Sequence, residues 1–110
     1  FLDCAAGIAV NSTGYGHPDV VNAVVDQARK YLHMSGTDFY YEPQVQLAEE
    51  MGRLVPIDGE VRSFFGNSGT EANEAALKLA RYHTKRVNVI AFLGSFHGRT
   101  LGSLAATSSK

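Results

Sequence analysis

The chain has 110 residues, a formal net charge of −1, 45% hydrophobic and 19% charged residues, the balance of an ordinary globular protein. Near-neutral charge gives no electrostatic footing for nucleic acid or an anionic membrane. No apolar run reaches the ~18 residues that cross a bilayer. The single cysteine, Cys4, rules out an internal disulfide and favours a reducing, cytoplasmic setting. Its thiol is expected to be buried and inert. The sequence opens on Phe1 and stops at Lys110 after a short Ser/Thr run, so both ends are expected to be cuts from a longer polypeptide.

Residues 1–10 are small and apolar and read as an extended arm entering a core; residues 11–16 read as loop. Pro18 suits the first position of a helix. Val20, Val24, Ala28, Tyr31 and Leu32 then recur at helical spacing, which predicts an amphipathic surface helix over 18–33. Asp38, Phe39, Tyr40 and Tyr41 belong to an aperiodic connection that could line a pocket or an interface. Pro43 opens a second helix, with Val45, Leu47, Ala48, Met51 and Leu54 inward, and Pro56 and Gly59 close it.

Val61 to Phe65 reads as a buried strand, 69–83 as a helix with Ala72, Ala75, Ala76, Leu79 and Ala80 packed, and Val87 to Leu93 as a second strand. Thr100 to Ala106 begins another helix. Strand, helix and strand in succession predict a βαβ unit with parallel strands and a right-handed crossover. Two glycine-bounded turns, 66–70 and 94–100, would then leave the same carboxyl edge of the sheet, where α/β sheets bind ligands.

The first turn, Gly66-Asn67-Ser68-Gly69-Thr70, runs from an apolar stretch into a helix. Free backbone N–H groups and the positive end of the helix dipole make such a junction suited to phosphate. Gly69 allows close backbone approach, and the Ser68 and Thr70 hydroxyls can donate. The plainer reading is a capping box between Ser68 and Glu71, and spacing leaves both open. The segment is neither a Walker loop nor a dinucleotide fingerprint, since neither glycine pattern is present.

In the second turn, Phe96 can stack on a heteroaromatic ring or pack in a core. His97 can hydrogen-bond, stack or exchange protons, or be a satisfied structural histidine. Arg99 can fork onto a carboxylate or remain a solvated surface arginine. Together the two turns point to a phosphate-bearing aromatic cofactor. His17, His33 and His83 have no metal-ligand spacing, so no metal is expected. His83 reads as a surface residue complementing a helix dipole.

Several blocks carry a resemblance that runs nearly end to end: Asp3 with Gly7-Ile8-Ala9-Val10-Asn11, Gly14-Tyr15-Gly16-His17-Pro18, Tyr41-Glu42-Pro43, the run from Asn67 to Arg81, and Phe96-His97-Gly98-Arg99-Thr100. In these the chain resembles the N-terminal part of the class III aminotransferases. These are pyridoxal-phosphate enzymes that include acetylornithine, ornithine and 4-aminobutyrate aminotransferases. The resemblance implies a partial aspartate-aminotransferase-like fold (fold type I), an α/β architecture with a mostly parallel sheet and flanking helices. Residues 1–58 would be an N-terminal arm, helices and connection; residues 59–110 would open the large cofactor domain.

By the same resemblance, Ser68, Gly69 and Thr70 bind the phosphate of pyridoxal 5'-phosphate, Phe96 stacks on its ring and His97 lies beside it. Arg99 meets the substrate carboxylate in several members, and Ile8 lies where members differ by substrate. Isoleucine there resembles the 4-aminobutyrate enzymes rather than the ornithine-δ type. The family's Schiff-base lysine and the aspartate that pairs with the pyridine nitrogen lie far downstream. Lys30, Lys78, Lys85 and Lys110 match neither motif, so no catalytic residue is assigned and these 110 residues alone are expected to be inactive. The full-length protein is expected to be a homodimer moving an amino group from an amino acid or ω-amino acid to a 2-oxo acid. A racemase or epimerase of the same family is the alternative, and a non-catalytic anion-binding piece is a third reading.

Overall fold

A computed structural model describes residues 1–109. Its regular elements are α1 (Ala6–Ala9), α2 (Pro18–Lys30), α3 (Glu42–Leu54), α4 (Gly69–Thr84) and α5 (Leu101–Ala106). The chain divides into one unit from Phe1 to Leu47 and a second from Ala48 onward, with α3 crossing the division.

In the first unit the N-terminal arm is coiled, not extended. The Asp3 carboxylate accepts the N–H groups of Ala5 and Gly7, each at 2.9 Å, and the Tyr15 hydroxyl. The Tyr15 hydrogen bond, then those backbone donors, hold the Asp3 carboxyl below its ordinary range. Residues 6–9 turn through the left-handed region, with φ of 48°, 63°, 65° and 58°. That conformation disfavours every residue there except Gly7, at roughly 1–2 kcal/mol each, and the Asp3 bonds offset part of it. Cys4 is exposed, against the expected buried thiol. The arm has no core to enter, because no apolar side chain is buried among the described residues.

The helix predicted over 18–33 is α2, with Pro18 in its first turn and the His17 Nδ1 accepting the Asp19 N–H at 3.3 Å. It stops at Lys30, three residues early. Tyr31 turns extended, its carbonyl accepts from the Gln27 side chain at 3.1 Å, and its ring meets Tyr41 edge-on at 6.3 Å. α3 ends at Leu54, two residues before Pro56, as a helix approaching proline must.

The second unit corrects the α/β expectation. Among the described residues there is no strand and hence no parallel sheet; the chain is helical. A strand exists only by exchanging ladder hydrogen bonds with a neighbour, and the segments 61–65 and 87–93 make none with each other. Their side chains stay open, Ile90 at 94% and Phe92 at 83% exposure.

The helix predicted over 69–83 forms as α4, closed by Lys85 in the left-handed region with its N–H on the Arg81 carbonyl at 2.9 Å. His83 falls in its last turn, where a cation complements the dipole. α4 packs against α5, and this helix pair positions the site.

Candidate functional site

The two turns converge without a sheet. Ser68, Gly69, Thr70, Asn73, Phe96, His97, Gly98, Arg99 and Thr100 line one open cleft of about 510 Å³. All the site residues expected in the second unit are therefore brought together. Ile8, 90% exposed, lies in the first unit.

The first turn begins α4. Ser68 has extended backbone, and its Oγ accepts the Glu71 N–H at 3.4 Å. The Glu71 carboxylate reaches back to the Asn67 N–H at 2.6 Å and accepts the Ser68 hydroxyl at 3.2 Å. The capping box is thus present, displaced by one residue at its second bond. The Asn67 donors, backbone first, hold the Glu71 carboxyl below its ordinary range. The cap absorbs the Ser68 hydroxyl and leaves the N–H groups of Gly69 and Thr70 with no protein acceptor among the described residues. These two donors, at the positive end of a 16-residue helix, are what an anion would meet.

The second turn is tied to α4 by side chains. Asn73 Nδ2 donates to the His97 carbonyl at 2.6 Å. The Thr70 and Thr100 hydroxyls are 2.8 Å apart, and Thr100 donates to Glu74 Oε1 at 2.5 Å. An ionised carboxylate only accepts, so the Thr100 proton is committed to Glu74 and Thr70 is the donor to Thr100. The Thr70 hydroxyl proton therefore points into the protein, leaving its backbone N–H for a ligand.

Glu74 Oε1 also accepts the N–H groups of Gly102 at 2.8 Å and Ser103 at 3.2 Å, capping α5. The Thr100 bond and then these backbone bonds lower the Glu74 carboxyl from its ordinary value. Gly98, buried and at φ 133°, completes the approach. A Cβ on it would overlap the Thr70 side chain and lie 3.0 Å from Ser103 Cβ. Only glycine fits there.

The hydroxyls after α5 finish the turn. Thr107 Oγ1 accepts the His97 N–H at 2.9 Å, and Ser108 Oγ accepts the Gly94 N–H at 2.7 Å. Sequence reasoning missed Asn73, Glu74, Thr100 and Thr107. Asn73 and Glu74 lie in the opening turns of a predicted helix next to a candidate turn, and that adjacency was the available signal. Thr107 and Ser108 looked like low-complexity sequence.

Phe96 is 64% exposed at the cleft. Arg99 is exposed at the same rim. No grouping of three or more His, Cys, Asp or Glu side chains fit for a metal occurs among the described residues. No helix there is long and apolar enough to cross a membrane.

Comparison with known proteins extends this local picture. The sequence profile of the aminotransferase class-III family matches residues 1–110. The chain belongs to that family. It is 47% identical over 110 residues to an acetylornithine aminotransferase of Methanothermobacter thermautotrophicus, covering 100% of this chain and 27% of that protein. An acetylornithine aminotransferase of Bifidobacterium longum is 45% identical over 119 residues, covering 97% and 27%. One of Mycobacterium leprae is 49% identical over 107 residues, covering 97% and 26%. The chain thus spans about a quarter of the length of the curated relatives it matches.

Proposed function

We propose that this chain is the phosphate-anchoring part of a longer pyridoxal-phosphate-dependent aminotransferase. The longer protein would move an amino group from an acetylornithine-like or other ω-amino donor to a 2-oxo acid, working as a homodimer. The observation that carries this reading is the convergence of two unpaired helix-terminal N–H groups with an exposed aromatic ring in one cleft.

The residues present fit the cofactor. Gly69 and Thr70 would hold its phosphate through their N–H groups, with Ser68 fixing the helix end that presents them. Phe96 would cover the ring face, His97 would lie beside it, and Arg99 would take a substrate carboxylate through its guanidinium. Ile8 would shape the substrate end. Pyridoxal phosphate, when bound, supplies an electron sink for loss of a proton from the carbon bearing the amino group. The part of this chain is to bind and orient; none of its side chains is assigned the proton transfer.

The test is equilibrium binding of pyridoxal phosphate to the full-length protein, followed by amino transfer from N-acetylornithine to a 2-oxo acid. Saturable binding that inorganic phosphate displaces, together with turnover, is the expected result. A folded protein that binds neither ligand would overturn the reading.

A further inference from the structure

Glu74 ties α4 to the second turn and to the start of α5, and it does not line the cleft. We propose that Glu74 is a positioning residue: through one carboxylate oxygen it caps α5 and fixes the 96–100 turn, so that Phe96 stands over a ring whose phosphate is held at α4. The inference rests on the cofactor reading above and assigns a role within it.

Three donors meet on Glu74 Oε1: the Thr100 hydroxyl at 2.5 Å, the Gly102 N–H at 2.8 Å and the Ser103 N–H at 3.2 Å. Thr100, at the N-cap of α5, makes no side-chain cap of its own. The cap is borrowed from a residue 26 positions earlier. It has a second consequence. Two helix N-termini border the cleft, and Glu74 fills the one at α5 with a fixed negative charge. The Gly102 and Ser103 donors are thereby taken, while Gly69 and Thr70 at the start of α4 stay open to an incoming anion. Gly102 seals the contact, since a Cβ there would run into the Glu74 carboxylate, 2.5 Å from Oε2.

Because all three bonds use one oxygen, a glutamine keeps them and an aspartate is too short to reach. The full-length protein is compared with its Glu74→Gln, Glu74→Asp and Glu74→Ala variants. Affinities for pyridoxal phosphate and for inorganic phosphate are measured, with amide exchange at Gly102 and Ser103. Glu74→Ala is expected to weaken pyridoxal phosphate about tenfold or more, the scale of lost hydrogen bonds to a charged group. Inorganic phosphate, held by α4, should weaken less than about threefold on the same scale. Glu74→Gln should restore both the cofactor affinity and the slow exchange. Equal losses for the two ligands, or a Glu74→Gln variant as impaired as Glu74→Ala, would overturn the proposal. If Glu74→Ala does not fold, Glu74→Asp decides: affinity and exchange equal to wild type would overturn it. A wild-type protein that binds neither ligand defeats the cofactor reading. The exchange rates in the Gln and Asp variants then still decide whether the clamp exists.

Discussion

The helices α4 and α5 begin at the same cleft and solve the same problem in opposite ways. α4 caps itself with Ser68 and Glu71, three residues apart. That local cap satisfies the Glu71 and Asn67 donors and leaves Gly69 and Thr70 open. α5 takes its cap from Glu74 across the packed helix pair, and its Gly102 and Ser103 donors are used up. The lesson is that a helix N-terminus becomes an anion site by what its cap leaves unpaired. Two termini side by side differ in function because one is capped by its own turn and the other by its neighbour.

The change expected to break this comparison most severely is Gly98→Ala. It combines a φ of 133° with overlap onto the Thr70 side chain, a cost on the order of 2–4 kcal/mol. Denaturant unfolding of the full-length protein should show it, and an unchanged midpoint would contradict the close approach of the two turns. Gly102→Ala is milder because Gly102 has no positive φ and its Cβ would meet only the far end of the flexible Glu74 side chain. It should speed amide exchange at Ser103 and leave exchange at Asn67 unaltered.

Acid should remove both caps. Glu71 and Glu74 are held below their ordinary values by accepted hydrogen bonds. Each therefore contributes stability that is full above the ordinary carboxylate range and is lost as pH falls through the lowered, folded-state value. Protection of the Gly102 and Ser103 amides, taken against their intrinsic exchange at each pH, should fall over that interval in wild type. In Glu74→Gln this acid step should vanish while the one at Asn67 persists. Persistence of both steps would assign the Gly102 and Ser103 protection to another group.

Ser68→Ala should cost about 1 kcal/mol, the usual value of a lost N-cap, and Ser68→Gly only a few tenths. A comparably small effect belongs to Arg62→Ala. Its ion pair with Glu60 at 2.9 Å is solvent-exposed, and its loss should move stability by less than about 1 kcal/mol.

The same contrast separates what the sequence told from what it withheld. α4 was legible almost to the residue, because Ser68, Glu71, the alanine face and the last-turn cations all act within a few positions of one another. The candidate residues of the two turns were legible too, as glycine-bounded turns bearing polar and aromatic side chains. The α5 cap was not, since nothing in the spacing of Glu74 and Thr100 marks them as partners. The paired strands failed for the same reason. Residues 61–65 and 87–93 have the composition of strands, but pairing is a long-range fact that periodicity does not encode. The convergence inferred from a shared sheet edge is real, and its cause is the α4–α5 contact.

The most direct measurement is a residue-resolved amide titration of the full-length protein with pyridoxal phosphate, with inorganic phosphate as control. Both ligands should shift and protect the Gly69 and Thr70 amides and leave those of Gly102 and Ser103 in place. Shifts centred on Gly102 and Ser103, with Gly69 and Thr70 unmoved, would mean that the anion takes the terminus assigned to Glu74.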